Sequence, residues 1–187
     1  MKPLNKINSL IIIVGFFYHN ALAEKLPFSV GERLEYSAKF NFIPAGKAFL
    51  TVVSIDTVNN LPAYHVRYEA QTGPIADKIY KIRDNVDSWL DEKEFFTHKQ
   101  TKNLQQGNYR FTSHTQIMYD HSIAIVNKDT IPIQSRLYDP YSLFYSFRTL
   151  ELIPEETMSL TVFDNKSLTK FQMIITSKEL ISVPAGT

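Results

Sequence analysis

The residues best suited to ligand chemistry lie in one ten-residue stretch, DPYSLFYSFR, from Asp139 to Arg148. At about 100° per residue on a helix, Tyr141, Tyr145 and Arg148 share one face. Two phenols and a guanidinium on one face suit an anionic or aromatic ligand, and they are equally able to stack on one another. Asp139 is expected to pair either with Arg148 or with a group on a neighbouring strand. We therefore predict Tyr141, Tyr145, Arg148 and Asp139 as ligand-binding residues.

The remaining polar residues form no recognisable catalytic or metal-binding pattern. The histidines after residue 23 lack zinc-motif spacing, and the absence of Cys excludes Cys-liganded zinc, thiol catalysis and iron–sulfur clusters. His65 and His114 are expected on the solvated surface, and Asp84 and Asp87 are interpreted as solvated charge. Trp89, the only tryptophan, is expected opposite the apolar face of its strand. We predict no catalytic residue, no metal site and no cofactor.

The stretch that carries the candidate residues is itself predicted to be a short helix near residues 139–150. Asp139 is a good N-cap because its carboxylate can accept hydrogen bonds from the first free amides. Pro140 fits the first helical position, where no amide hydrogen is needed. A second stripe of this helix is apolar and is interpreted as core packed on a sheet. The stripe consists of Leu143, Phe144, Phe147 and Leu150.

The elements around the helix are predicted to be β-strands, because most of the chain alternates apolar and polar residues with a period of two. Residues 34–42 alternate Leu, Tyr, Ala and Phe with Glu, Ser, Lys and Asn, and similar patterns recur over 64–70, 80–90 and 109–119. A hairpin turn is predicted at 164–167. This pattern predicts a mainly β fold with an antiparallel curved sheet, sandwich or barrel-like, and one short helix.

The N-terminal end of the chain has the features of a cleaved signal peptide, predicted as residues 1–23. Two lysines precede a short apolar run at residues 10–18, and Ala21–Ala23 supplies small residues for a signal peptidase. The run is about half the ~20 residues that a spanning helix needs. We predict export to the periplasm or outer envelope, with residues 24–187 as a single β-rich domain without a transmembrane span.

The balance of charge argues against a nucleic-acid partner. The chain holds 20 basic and 19 acidic residues, and removal of the two leader lysines leaves 18 basic residues against 19 acidic ones. A near-neutral chain has no global attraction to a phosphate backbone.

The stretch DPYSLFYSFR also carries a family resemblance. Its D-P-x-S-x-x-Y-x-x-R pattern resembles that of bacterial exported proteins of domain-of-unknown-function family 3108. The other matching positions are Gly31–Glu32, Leu34, Tyr36, Gly46, Asp87–Ser88, Phe163–Asp164 and Val183–Thr187. The resemblance implies an envelope protein with a mostly antiparallel β fold, and it brings no established activity, cofactor or catalytic residue. It also implies further strands after Thr187, so we expect the chain to lack C-terminal strands of its family.

Together these features favour an exported cell-envelope protein that binds or supports other molecules and is not an enzyme. A sheet with an aromatic interior is suited to a lipid or another apolar ligand. One alternative is an envelope hydrolase of cell-wall or lipid substrates that uses Asp139, Tyr145, Arg148 and a histidine. Another is a scaffold that docks envelope proteins through the Tyr and Arg side chains of the helix.

Overall fold

A computed structural model describes residues 26–183 and shows a mainly β protein. Eight strands form one antiparallel sheet in chain order. These strands are β1 Arg33–Phe40, β2 Ile43–Val58, β3 Leu61–Thr72, β4 Arg83–Asp91, β5 Thr97–Gln106, β6 Tyr109–Met118, β7 Ile123–Val126 and β8 Asp129–Pro132. A separate two-stranded ribbon consists of β9 Thr157–Asp164 and β10 Ser167–Ile174. The predicted mainly β, antiparallel fold is confirmed, and within the described residues the sheet is open, with β1 and β8 at its edges.

An α-helix, α1 Pro140–Thr149, lies where it was predicted. The carboxylate of Asp139 accepts hydrogen bonds from the amides of Tyr141 at 2.8 Å and Ser142 at 2.9 Å. The Ser142 hydroxyl in turn accepts a hydrogen bond from the Asp139 amide at 2.8 Å, which completes a capping box. The start of the helix is therefore set by these few neighbouring residues.

The face that α1 buries is not the one predicted from its apolar stripe. Tyr145, Ser142 and Ser146 are buried, whereas the residues of the expected core stripe are half-buried or exposed. The stripe prediction is therefore wrong for Leu150, which is exposed, whereas Phe144 is half-buried and packs against the buried Tyr145, as a core residue would. Periodicity shows which side chains share a face, but the sheet decides which face is covered, and here the small serines let the helix approach closely.

Two apolar clusters hold the fold together. The first lies between α1, the segment before β1, and strands β2 to β4, and it consists of Phe28, Leu50, Val52, Val66, Leu90, Phe95 and Tyr145. The second lies between strands β6 and β7 and the ribbon, and it consists of Ile117, Ala124, Val126, Ile133, Leu137 and Phe163. An ion pair between Lys102 on β5 and Asp164 at the ribbon turn also joins the two sheets.

Strand β1 is covered only near its start. Leu34 packs against the first cluster, whereas Tyr36, Phe40 and the following Phe42 are exposed. At this end of the sheet, β2 and β3 approach closely where Gly46 pairs with Thr72. Only glycine fits there, because a Cβ at Gly46 would collide with the carbonyl oxygen of Gln71. The outer half of β1 therefore presents apolar side chains that no described element covers.

Candidate functional site

Asp139 is buried and does not pair with Arg148. Its carboxylate accepts a third hydrogen bond, from the Thr97 hydroxyl of β5 at 3.0 Å. Burial raises the pKa of the Asp139 carboxyl above its ordinary value, and the hydrogen bonds from Ser142, Tyr141 and Thr97 oppose this rise. Of the two pairings expected for Asp139, the structure shows the one with a neighbouring strand.

The two tyrosines of the predicted ligand face pack against the protein. Tyr145 is buried, with its ring centroid 4.7 Å from that of Phe28 in an edge-to-face arrangement. Its hydroxyl has no hydrogen-bond partner among the described residues. Tyr141 stacks on Tyr68 of β3 with 4.9 Å between the ring centroids. Burial raises the phenol pKa of both Tyr141 and Tyr145.

Arg148 joins the end of α1 to the segment that precedes β1. Its guanidinium donates to the two carboxylate oxygens of Glu32 at 2.5 and 2.8 Å and to the Pro27 carbonyl at 2.9 Å. The guanidinium also lies 5.5 Å from the ring centroid of Phe28, a cation–π distance. The hydrogen bonds with Glu32 raise the pKa of Arg148. These contacts form a clamp that covers one side of the first cluster.

Each named position of the D-P-x-S-x-x-Y-x-x-R pattern thus has an intramolecular role in capping, packing or clamping. A ligand role for Tyr141, Tyr145, Arg148 and Asp139 stays a prediction. Within residues 26–183, the side chain that hydrogen-bonds to Arg148 is that of Glu32. No histidine in this part of the chain hydrogen-bonds to Asp139, Tyr145 or Arg148. The hydrolase and scaffold alternatives likewise stay predictions.

Sequence reasoning did not predict a polar and aromatic cluster on the opposite face of the sheet. His65 Nε2 lies 2.6 Å from Asp87 Oδ1, which also accepts from Arg67 Nε at 2.7 Å. Trp89 stacks on His65 at 4.5 Å between centroids and donates from Nε1 to Asp56 at 2.8 Å. The expectation of a solvated His65 and a solvated Asp87 is wrong, because the β3–β4 register places Trp89 beside His65 and Arg67 beside Asp87. His114, by contrast, is exposed as predicted.

An apolar cleft lies at one end of the sheet, where three connections meet. We call this region the loop end and define it as residues 39–46, 73–83 and 106–110. Backbone hydrogen bonds hold the connections together: the Gly73 amide donates to the Ala45 carbonyl at 2.9 Å, and the Gly107 amide donates to the Lys81 carbonyl at 2.8 Å.

The cleft has a volume of about 330 Å³, and almost all of its wall is apolar. The residues that line it are Phe40, Ile43, Pro44, Ala45, Thr72, Ile75, Ala76, Ile79, Tyr80 and Ile82. The segment between Ile75 and Ile82 intersperses apolar residues with charged ones, and its last part, from Tyr80, is predicted from the sequence as the start of a strand. In the structure β4 begins at Arg83, and a short 3-10 helix at Ala76–Lys78 turns these side chains towards β2.

The fold and these surfaces define a mainly β protein built on an open eight-stranded antiparallel sheet with a capped helix against one face. A sequence profile described as "Protein of unknown function (DUF3108)" matches residues 35–187. This match covers most of the chain, and the chain belongs to that family. Comparison with curated proteins and with solved structures finds no match.

Two further features bear on membranes and metals. Within residues 26–183, no helix has the length and apolar character required to cross a bilayer. The same part of the chain contains no group of three or more His, Asp or Glu side chains placed to hold a metal ion.

Proposed function

We propose that the protein is a non-catalytic component of the bacterial cell envelope that binds a lipid or another apolar ligand in the cleft at the loop end. The observation that carries the proposal is the wall of this cleft, which is almost wholly apolar and open to solvent. Such a wall offers an acyl chain burial without requiring hydrogen bonds from it, and apolar burial is the main source of affinity for such ligands.

The cleft is also held in shape before any ligand arrives. On one side, β2 is fixed by its pairing with β1 and β3. On the other, the 3-10 turn is fastened by Arg83, whose guanidinium donates to the Asp77 carboxylate at 2.6 and 3.0 Å. A preformed cleft loses little conformational entropy on binding, which favours affinity.

The envelope location rests on the sequence. The predicted signal peptide at residues 1–23 lies outside the described residues, and so does the end of the VPAGT match at 184–187. Secretion into medium or periplasm, followed by N-terminal sequencing of the mature chain, would test this part. Recovery of an intact Met1 from the cytoplasm would contradict it.

Ligand binding is tested with a fluorescent fatty-acid probe in vesicle-free buffer. Ile43→Ser alters the cleft wall, and Ile55→Ser on the same strand is a matched control, because the two side chains are 52% and 49% exposed. Loss of one apolar contact of this size should weaken probe binding about ten-fold for Ile43→Ser. Binding by Ile55→Ser should match that of the unchanged protein. Equal weakening by both variants, or no probe binding at all, would overturn the cleft proposal.

A further inference from the structure

The loop end exposes large apolar side chains, of which Phe40 and Ile79 also line the cleft. Phe42 is 97% exposed, Ile79 87% and Phe40 73%. Phe42 occupies the turn between β1 and β2 and does not line the cleft. Isolated exposed apolar residues are ordinary, but several at one end of a molecule mark an interaction surface.

The same region concentrates positive charge. The loop end contains Lys39, Lys78, Lys81, Arg83 and Arg110 against a single acid, Asp77, so its formal charge is 5 − 1 = +4. Residues 24–187 hold 18 basic and 19 acidic residues, a formal charge of −1, which leaves −5 on the rest of this part of the chain. The protein is therefore strongly polarised in charge, although its composition is nearly neutral.

Three of these cations are available to a partner. The acid of the loop end, Asp77, forms its ion pair with Arg83 at 2.6 Å. Lys39, Lys78 and Lys81 are exposed and make no ion pair with another described residue. Their long side chains can extend around apolar neighbours and keep their ammonium groups at a charged boundary.

We infer that the loop end docks the protein on an anionic lipid surface. Phe42, Phe40 and Ile79 enter the boundary between headgroups and acyl chains, while the lysines contact the anionic headgroups. Exposed apolar side chains together with lysines are the combination that binds such surfaces, because burial and attraction to anionic lipid act together. Docking goes beyond the ligand proposal, since it needs the exposed tips and does not need an occupied cleft.

A second copy of this chain would bind the loop end less favourably than an anionic lipid surface. Symmetric self-association through the loop end would bring a +4 region against an identical one, and the like charges would oppose contact. An anionic bilayer presents the opposite charge together with an apolar layer a few ångströms below it. Charge complementarity therefore favours the lipid surface.

The test is co-sedimentation of the purified protein with phosphatidylcholine vesicles, with and without phosphatidylglycerol. Phe42→Ser is compared with Leu180→Ser, whose side chain is 89% exposed elsewhere on the surface. Lys78→Gln and Lys81→Gln are compared with Lys93→Gln, which lies in the β4–β5 turn at the other end of the sheet.

The unchanged protein should bind the anionic vesicles, and added salt should weaken that binding. Phe42→Ser should lower the partition coefficient about ten-fold, and each of Lys78→Gln and Lys81→Gln about five-fold. Leu180→Ser and Lys93→Gln should bind as the unchanged protein does. Equal binding to neutral vesicles, no binding, or equal losses in the control variants would overturn the inference. So would a dimer in analytical ultracentrifugation that Phe42→Ser dissociates.

The two proposals can fail separately. Phe42→Ser should keep its affinity for the fatty-acid probe without vesicles, because Phe42 does not line the cleft. Vesicle binding without probe binding would refute the cleft and leave docking standing, and the reverse result would refute docking alone. Circular dichroism of each variant checks that it is folded, which we expect because the replaced side chains are exposed.

Discussion

Replacing Tyr145 with Phe is expected to stabilise the protein by about 1 kcal/mol. The Tyr145 ring is buried against Phe28 and Phe144, but its hydroxyl has no hydrogen-bond partner among the described residues. A buried hydroxyl without a partner costs roughly 1–3 kcal/mol of desolvation. Removal of one oxygen leaves only a small void, which costs a few tenths of a kcal/mol at about 24 cal/mol per Å³. The balance favours the Phe variant.

Tyr119→Phe is the matched control, because the same chemical change should have the opposite sign there. The Tyr119 hydroxyl donates to the Thr97 carbonyl at 2.7 Å and accepts from the Leu137 amide at 3.3 Å. Its loss leaves both backbone groups without this partner and should cost about 1–3 kcal/mol.

Thermal unfolding followed by circular dichroism measures both variants. A change of 1 kcal/mol corresponds to about 2–4 °C in Tm for a chain of this size. Tyr145→Phe should melt higher than the unchanged protein and Tyr119→Phe lower. A lower Tm for Tyr145→Phe would show that the hydroxyl has a native partner and would contradict the assignment of Tyr145 to the apolar cluster without a polar contact.

The remaining predictions concern the cap, the clamp and acid stability. Asp139→Ala should lower the free energy of unfolding by about 2–3 kcal/mol in urea titrations, because the cap bonds and the Thr97 hydroxyl lose their acceptor; an unchanged midpoint would refute the cap. Arg148→Met should cost about 1.5–3 kcal/mol, and a double-mutant cycle with Glu32→Gln that showed no coupling would contradict the clamp. Arg83 and the Thr72 hydroxyl lower the pKa of Asp77 from 3.8 to about 2. The folded state therefore binds this proton less readily than the unfolded state, so the stabilisation from Asp77 is complete above about pH 4 and is lost as the pH falls towards 2. Asp77→Asn should flatten this part of the stability–pH profile, and an unchanged slope would count against it.

Local chemistry along the chain was sufficient to predict a good part of this structure. The period-two alternation predicted strands at β1, β3, β4 and β6, and the DNKS sequence at 164–167 predicted the hairpin between β9 and β10, where the turn is observed. The mostly polar strand β5 and the short strand β8 carry no such alternation and were not predicted. Asp139 and Pro140 predicted the start of α1, because a cap depends on amides within three residues of it. Each of these features is decided by neighbours in sequence.

Contacts between distant residues explain where the prediction failed. His65 was expected in solvent because its own strand is polar on that side, but the register of β3 with β4 places Trp89 over it. The apolar stripe of α1 was expected inside, but the sheet accepts the face that carries Tyr145 and two serines. Neither the register nor the covered face is encoded in the periodicity of a single segment.

The loop end also combines residues that are visible in the sequence with an arrangement that only the tertiary structure produces. Its apolar and basic residues are visible in the sequence as three separate short segments, none of which is unusual on its own. They form one surface only because antiparallel order returns β1–β2, β3–β4 and β5–β6 to the same end of the sheet, where hydrogen bonds join them. The alternation of side chains is a property of each strand. The cleft, the basic loop end and the clamp of Arg148 on Glu32 arise from pairing across the fold, because the packing of the whole sheet decides which distant residues lie close together.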